Sequence, residues 1–415
     1  MVNPYSLKTA QIWWMQFPSQ LKLITKIRFF ASFGAGGVIY LTSLIFNKIG
    51  LSATEIGLGF TLSAIIGTIT RFITGNYLNK NRDIENPLKI SSILGIVASL
   101  FLIISRDSLS YIFGQSLIGA AAGIYWPTAE FAVPYLCFPI NTKKAYALVR
   151  SSEALGTFLG VFIGSLLNYL IYFKTNFIND ILCLFIIILL ISSKKEIIKK
   201  NFNDFEINNT KEISNTKNNW HKNTIIIFTS IILLTTCLAL NQVILPLDFV
   251  KRGIFKDSIS ETITSYIISA QLILLFILQW PIGNWLSTKE RFFGIKFSLI
   301  NFGISAFLLF ISNYFKTIGI YIMLTAIIFS SIGASSFLPT SSDIVFKIAP
   351  INKKGLATAL LSQCFALGYL LGPLFSGRIL DYYGDTSRLW ILISITCFSL
   401  TIALLNKKYK VSNSS

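Results

Sequence analysis

Arg71, Glu130, Arg150 and Glu153 are charged residues embedded in long apolar stretches of the chain. An ion among apolar neighbours is costly to keep, so each is a candidate for function. Arg150 and Glu153 stand three apart, the spacing that puts two side chains on one helical face and lets them pair. Two kinds of chemistry fit the set. In one, the four residues form a network of charges that holds one end of a helix bundle closed. In the other, Glu130 or Glu153, desolvated between helices, takes up and releases a proton coupled to the movement of another solute. Glu153→Gln would then abolish pH-driven transport and leave exchange intact. The network is favoured, because each of these charges falls within about two or three helical turns of one end of its stretch. Asp343 follows a further stretch.

The remaining residue inventory points away from enzyme chemistry. The five cysteines, Cys137, Cys183, Cys237, Cys364 and Cys397, lie in or beside apolar runs with no CxxC spacing and read as small buried hydrophobes. His221 is the single histidine and sits in a polar segment, so neither a histidine metal cluster nor a Ser/His/Asp triad can be assembled. The phosphate-binding pattern GxxxxGK[ST] is absent, which argues against direct driving by ATP. No catalytic residue, metal or cofactor is expected. The net charge of +18 is spread between apolar runs rather than gathered on a face or tail, so nucleic acid is not the expected partner.

The elements that must position these charges are membrane spans. Hydrophobic residues make up 53% of the 415, charged residues only 13%, and the mean hydropathy is +0.64. A helix crosses a hydrocarbon core about 30 Å thick with about 20 apolar residues. Candidate spans run from Phe29 to Phe46, Ile56 to Ile73, Ile90 to Ile104, Leu109 to Ala132, Ala145 to Phe173 and Phe177 to Ser192. Six more follow: Ile225 to Leu245, Ile263 to Ile282, Phe292 to Ile311, Ile318 to Leu338, Leu356 to Phe375 and Leu389 to Leu405. The expected organisation is an N-terminal interfacial segment (1–28, with Trp13, Trp14 and Phe17 on the inner leaflet), a six-helix bundle (29–193), a charged, Asn-rich linker (194–223), a second bundle (224–405) and a tail (406–415). If the N-terminus is cytoplasmic, 26 of the 36 Lys and Arg residues fall on the inside and nine on the outside, with Arg71 left within a span. That asymmetry places both termini in the cytoplasm. The first 28 residues are too polar and too long for a usual signal peptide.

The two bundles repeat one plan. GNYLNKNR at Gly75 is echoed by GNWLSTKER at Gly283, LIFNKIG at Leu44 by LDFVKRG at Leu247, and PIN at Pro139 by PIN at Pro350, always in the same order. With an even number of spans in each half, both copies enter the membrane in the same orientation and are related by an axis along its normal. On these grounds the chain resembles the major facilitator superfamily of secondary transporters over nearly its whole length. The strongest local match is PINKKGLATALLSQCFALGYLLGPLFSGRILDYYG, from Pro350 to Gly384, with Lys354-Gly355 where the family usually has Arg-Gly.

The resemblance implies an all-α membrane protein of 12 transmembrane helices in two pseudo-twofold-related six-helix bundles. Its gating loop would be Gly75, Leu78, Asn79 and Lys80, repeated at Gly283, Leu286 and Ser287; Asn79 and Ser287 replace the family's aspartate and supply no charge to a latch. The first, fourth, seventh and tenth spans would line the cavity, nominating Tyr40, Gln115, Tyr125, Trp126, Asn241, Gln242 and Ser335, with Pro127 and Pro339 as bend points. These uncharged polar and aromatic residues suit a neutral or amphipathic organic solute. Two marks of proton-for-drug exchangers are missing. Gln115 stands where those relatives carry an arginine four residues before a glycine, here Gly119, and GTFLGVFIG in the fifth span lacks their Gly-Pro step, though Gly156, Gly160 and Gly164 share one face. The expected protein is a monomeric plasma-membrane or inner-membrane permease that moves a small organic molecule by alternating access, with proton-coupled efflux as the sharper version. A non-transporting membrane scaffold or assembly factor built on the same fold is the alternative.

Overall fold

The computed structural model describes residues 14–51, 53–81, 83–170, 174–193, 220–251, 261–290, 292–315, 317–350, 353–383 and 386–406. Among these lie twelve α-helices and no strand. They are α1 (Ser19–Ile49), α2 (Ala53–Asn81), α3 (Glu85–Ile104), α4 (Ser108–Leu136), α5 (Thr142–Leu170), α6 (Thr175–Ser193), α7 (Trp220–Lys251), α8 (Glu261–Leu286), α9 (Phe293–Ser312), α10 (Thr317–Ile348), α11 (Lys354–Tyr383) and α12 (Ser387–Asn406). Each of the twelve expected spans falls on one helix, apart from the end of the fifth (171–173), which lies outside the described residues. An all-helical chain is what lipid demands, because a helix satisfies its backbone polar groups internally.

Sequence periodicity separates the faces that meet lipid from those that meet protein. Along α3 the exposed apolar residues are Ile90, Ile93, Val97, Leu100 and Ile104, a stripe of three- and four-residue steps, whereas Leu88, Ser91, Ser92, Ser99 and Leu102 are buried. Along α6 the exposed stripe is Ile178, Leu182, Phe185 and Leu189. A soluble helix shows the opposite pattern. Seven of the described helical stretches are long and apolar enough to cross a membrane by composition alone, and α4 is not among them. It carries Gln115, Tyr125, Trp126, Pro127 and Glu130, and it can afford them because most of its length is enclosed by other helices.

Close helix approach is built from small residues. A Cβ on Gly119 of α4 would lie 2.6 Å from the carbonyl carbon of Ser63 in α2, and one on Gly156 of α5 would lie 2.5 Å from the carbonyl oxygen of Phe29 in α1. Gly160 meets the Phe33 carbonyl in the same way. Two of the three glycines expected to share a face in the fifth span thus abut α1 backbone.

The chain forms two compact units: Met1–Trp220 with Ser342–Gln363, and His221–Ser341 with Cys364–Ser415. The end of α10 and the first part of α11 therefore pack with the first six helices. The most consequential difference from the span reading is at α1, which begins at Ser19 rather than near Phe29. Lys22 and Lys26 dilute the hydropathy there, yet Leu21, Ile24, Ile27 and Arg28 are all nearly or wholly buried and share the inward face. Phe17 is also buried in protein, 2% exposed, rather than lying on an interface. Trp13 and almost all of the 194–223 linker lie outside the described residues, although Trp220 already belongs to α7.

Candidate functional site

Three of the four charges singled out by the sequence come together, and a fourth that it assigned to the interface joins them. Arg28 on α1, Glu130 on α4, and Arg150 and Glu153 on α5 all lie about 9–17 Å in from the end of the bundle at which α1 begins. Arg28 Nη2 is 2.6 Å from Glu130 Oε1 and 2.8 Å from Glu153 Oε2. Arg150 Nη2 is 2.7 Å from Glu130 Oε1, and its Nη1 is 2.9 Å from Glu153 Oε2. Each carboxylate thus contacts both guanidiniums, and the set is neutral. The side chains of Arg28, Arg150 and Glu130 are 0%, 4% and 5% exposed and that of Glu153 is 19% exposed. Charge-assisted pairing of each ion with two opposite charges is the arrangement that makes such burial tolerable.

Aromatic and hydroxyl groups complete the cluster. The guanidinium carbon of Arg28 sits 4.4 Å from the Trp126 ring and 6.0 Å from that of Tyr125, so two nominated cavity residues stack on the cluster. Tyr146 donates to the Glu130 backbone carbonyl at 2.9 Å, and Arg150 Nη2 donates to Ser342 Oγ on α10 at 3.4 Å. Next to Ser342, Asp343 accepts a hydrogen bond from Thr142 at the start of α5 and pairs with Lys347 at 2.8 Å.

The gating-loop motif meets the start of α11. Asn79 Oδ1 accepts from the Gly355 amide at 2.7 Å and the Leu356 amide at 3.2 Å, two first-turn amides that have no acceptor within their own helix. A Cβ on Gly75 would lie 3.0 Å from the Gly355 carbonyl, which gives the motif's glycine its reason. Asn79 therefore acts as a neutral cap. Replacing it with Ala is expected to cost about 0.5–2 kcal/mol, and replacing it with Asp to add about 0.3–1 kcal/mol through the helix dipole. Unfolding midpoints in detergent should run Asp, Asn, Ala from highest to lowest. Lys80 is exposed. In the second copy Gly283 is buried, and Ser287 donates to the Asn284 carbonyl of its own turn at 2.7 Å.

The other nominated residues divide. Arg71 stands apart from the four-charge cluster and donates from Nε to Ser362 Oγ on α11 at 2.9 Å. Gln115 is 2% exposed and enclosed within the helix packing. Asn241 is 5% exposed. Ser335 is fully buried, and its backbone carbonyl accepts from Gln279 of α8 at 3.1 Å. The side chains of Tyr40 and Gln242 lie outside the described residues.

Sequence reasoning missed two charges. Arg28 was legible in the spacing of Leu21, Ile24 and Arg28 on one helical face. Asp180 was legible as an acid within the sixth span; it is buried on α6, accepts from Ser99 of α3 at 2.7 Å and packs against Gly34 of α1.

The family model of the Major Facilitator Superfamily matches residues 27–255 and 227–414. The chain belongs to that superfamily. Among its superfamily relatives, the uncharacterized MFS-type transporter YttB of Bacillus subtilis (strain 168) is 20% identical over 94% of this chain and 96% of its own length. The multidrug resistance protein MdtG of Escherichia fergusonii is 25% identical over 46% of each chain. The riboflavin transporter RibZ of Clostridioides difficile (strain 630) is 27% identical over 36% of this chain and 31% of its own. Against MdtG and RibZ, then, the chain spans half their length or less. A bacterial homologue of the iron transporter ferroportin, solved in an outward-facing state, superposes with a TM-score of 0.72 at 12% identity, over 94% of this chain and all of that one. The proton:xylose symporter XylE gives 0.70 at 12% identity, over 93% and 95%. These likenesses show the superfamily's fold in an all-α, multi-pass membrane protein.

Proposed function

We propose that the chain is a monomeric secondary active transporter of the plasma membrane, with both termini cytoplasmic, that moves a small organic solute by alternating access. The observation that supports this best is the set of contacts joining helices of the first sequence repeat to the ends of α10 and α11 from the second. Asn79 to Gly355 and Leu356, Arg71 to Ser362, Arg150 to Ser342 and Thr142 to Asp343 are all hydrogen bonds to the same short segment. Such bonds exchange for water with little net change in free energy, which suits a gate that must open repeatedly. A buried apolar seam would not.

The four-charge cluster is read as the rigid base of that gate rather than as a proton carrier. Both glutamates hold both arginines, so protonating either would leave guanidiniums short of a partner. On this reading Glu153→Gln weakens gating but leaves the pH dependence of transport unchanged. Export is the favoured direction, in line with the name of the relative MdtG.

The test begins with metabolites that accumulate in a strain lacking the protein, followed by flux of those solutes in vesicles containing the purified full chain. Solute-dependent flux supports the reading. Co-purification with one stable complex and no flux overturns it in favour of a scaffold.

A further inference from the structure

Arg71 is a half-buried cation with no acid beside it among the described residues. It lies in the interior of α2, about 15 Å from the helix end at Asn81. Its hydrogen-bond partner is the Ser362 hydroxyl, and its Nη1 is buried with no hydrogen-bond partner. Among the described residues no carboxylate pairs with it. The comparison with its neighbours is direct: at a similar depth, Arg28 and Arg150 are balanced one for one by Glu130 and Glu153. Placing a guanidinium among helices without a counter-ion costs several kcal/mol, and a fold that needed only packing there would be served better by Leu or Met. Nη1 lies 3.1 Å from where a Cβ on Gly67, one turn back, would stand. The absent Cβ at Gly67 leaves room for the guanidinium to lie along its own helix.

We propose that Arg71, with the Ser362 hydroxyl beside it, is the anchor for a single acidic group, a carboxylate or phosphate, on a soluble amphipathic organic solute. The inference rests on the transport reading and narrows its substrate class. A guanidinium presents a planar fork of donors that matches a two-oxygen acid, and Nη1 is the donor still to be used. Ser362 accepts from Nε and keeps its own proton to give. One acid group supplies the counter-charge that the described residues do not provide at this depth.

The test uses the full chain purified in detergent, with benzoate, octanoate and phenyl phosphate as probes and benzamide and octanamide as neutral counterparts of the two carboxylates. Unfolding midpoints and titrations are recorded for the wild type, Arg71→Gln and Arg71→Lys. At least one acid should stabilise the wild type while its amide does not, and Arg71→Gln should lose about tenfold or more in affinity, the equivalent of roughly 1.4 kcal/mol. Without probe, Arg71→Gln should unfold no earlier than the wild type, because it removes an unbalanced charge; a purely structural arginine predicts the reverse. The proposal is overturned if no probe gives an Arg71-dependent shift, if acid and amide act alike, or if Arg71→Gln alone is strongly destabilised. Stabilisation by phosphatidylglycerol micelles and by none of the soluble acids also overturns it, in favour of a lipid headgroup. Acid binding without flux in vesicles would sink the transport reading alone.

Discussion

Replacing Glu130 with alanine is expected to destabilise the folded protein by about 3–5 kcal/mol, the range found when one member of a buried ion pair is removed. Glu130 is the shared acceptor of Arg28 and Arg150, both within 2.7 Å of its Oε1. Without it, two guanidiniums that are 0% and 4% exposed share the single carboxylate of Glu153 within the cluster. The cost comes from the stranded charge, so a paired change should undo much of it. Glu130→Leu combined with Arg150→Leu leaves Arg28 facing Glu153, a neutral pair, and should be more stable than Glu130→Ala by about 0.5–3 kcal/mol, the usual scale of coupling between contacting residues. Thermal unfolding in detergent, followed by tryptophan fluorescence, reads both results. A double variant no better than the single one would mean that packing, not charge balance, sets the stability here.

The second large effect is expected at Gly119. An added methyl group would meet the backbone of Ser63, with its Cα 2.7 Å and its carbonyl carbon 2.6 Å away. Backbone in a packed helix cannot step aside, so Gly119→Ala must push α2 and α4 apart. A cost of about 1–3 kcal/mol is expected from overpacking, and Gly119→Val should be worse. Gly303 on α9 is the matched control. The atoms nearest its added Cβ belong to the ring of Phe398, at 3.1 Å, and a side chain can give way. Gly303→Ala should therefore stay near the wild-type midpoint in the same assay. Equal losses at the two sites would reject the steric account.

The span pattern was legible because lipid imposes it: every apolar run of suitable length became a helix, and the polar intervals became turns or lie outside the described residues. Helix ends were less legible. Lys22 and Lys26 lower the hydropathy of their region below that of a span, so hydropathy alone leaves Arg28 on the interface although the spacing of Leu21, Ile24 and Arg28 is helical. Partnerships were the least legible. Arg150 and Glu153 could be paired from their spacing, but Arg28 meets Glu153 across 125 positions and Arg71 meets Ser362 across 291. Only the packing of α1 on α5 and of α2 against the start of α11 creates those contacts. Gln115 shows the converse: its place on a cavity helix suggested solute contact, whereas it is enclosed, 2% exposed.

The bond from Gln279 to Ser335 has a mechanical consequence. Proline has no amide proton, so Pro339 cannot bond the carbonyl four residues earlier, which is that of Ser335. Gln279 supplies the donor instead. Two residues beyond Pro339, between Ser341 and Ser342, α10 passes from one compact unit to the other. The oxygen freed by the proline is thus held by a side chain from α8, and the helix runs past Pro339 without baring a polar atom to hydrocarbon.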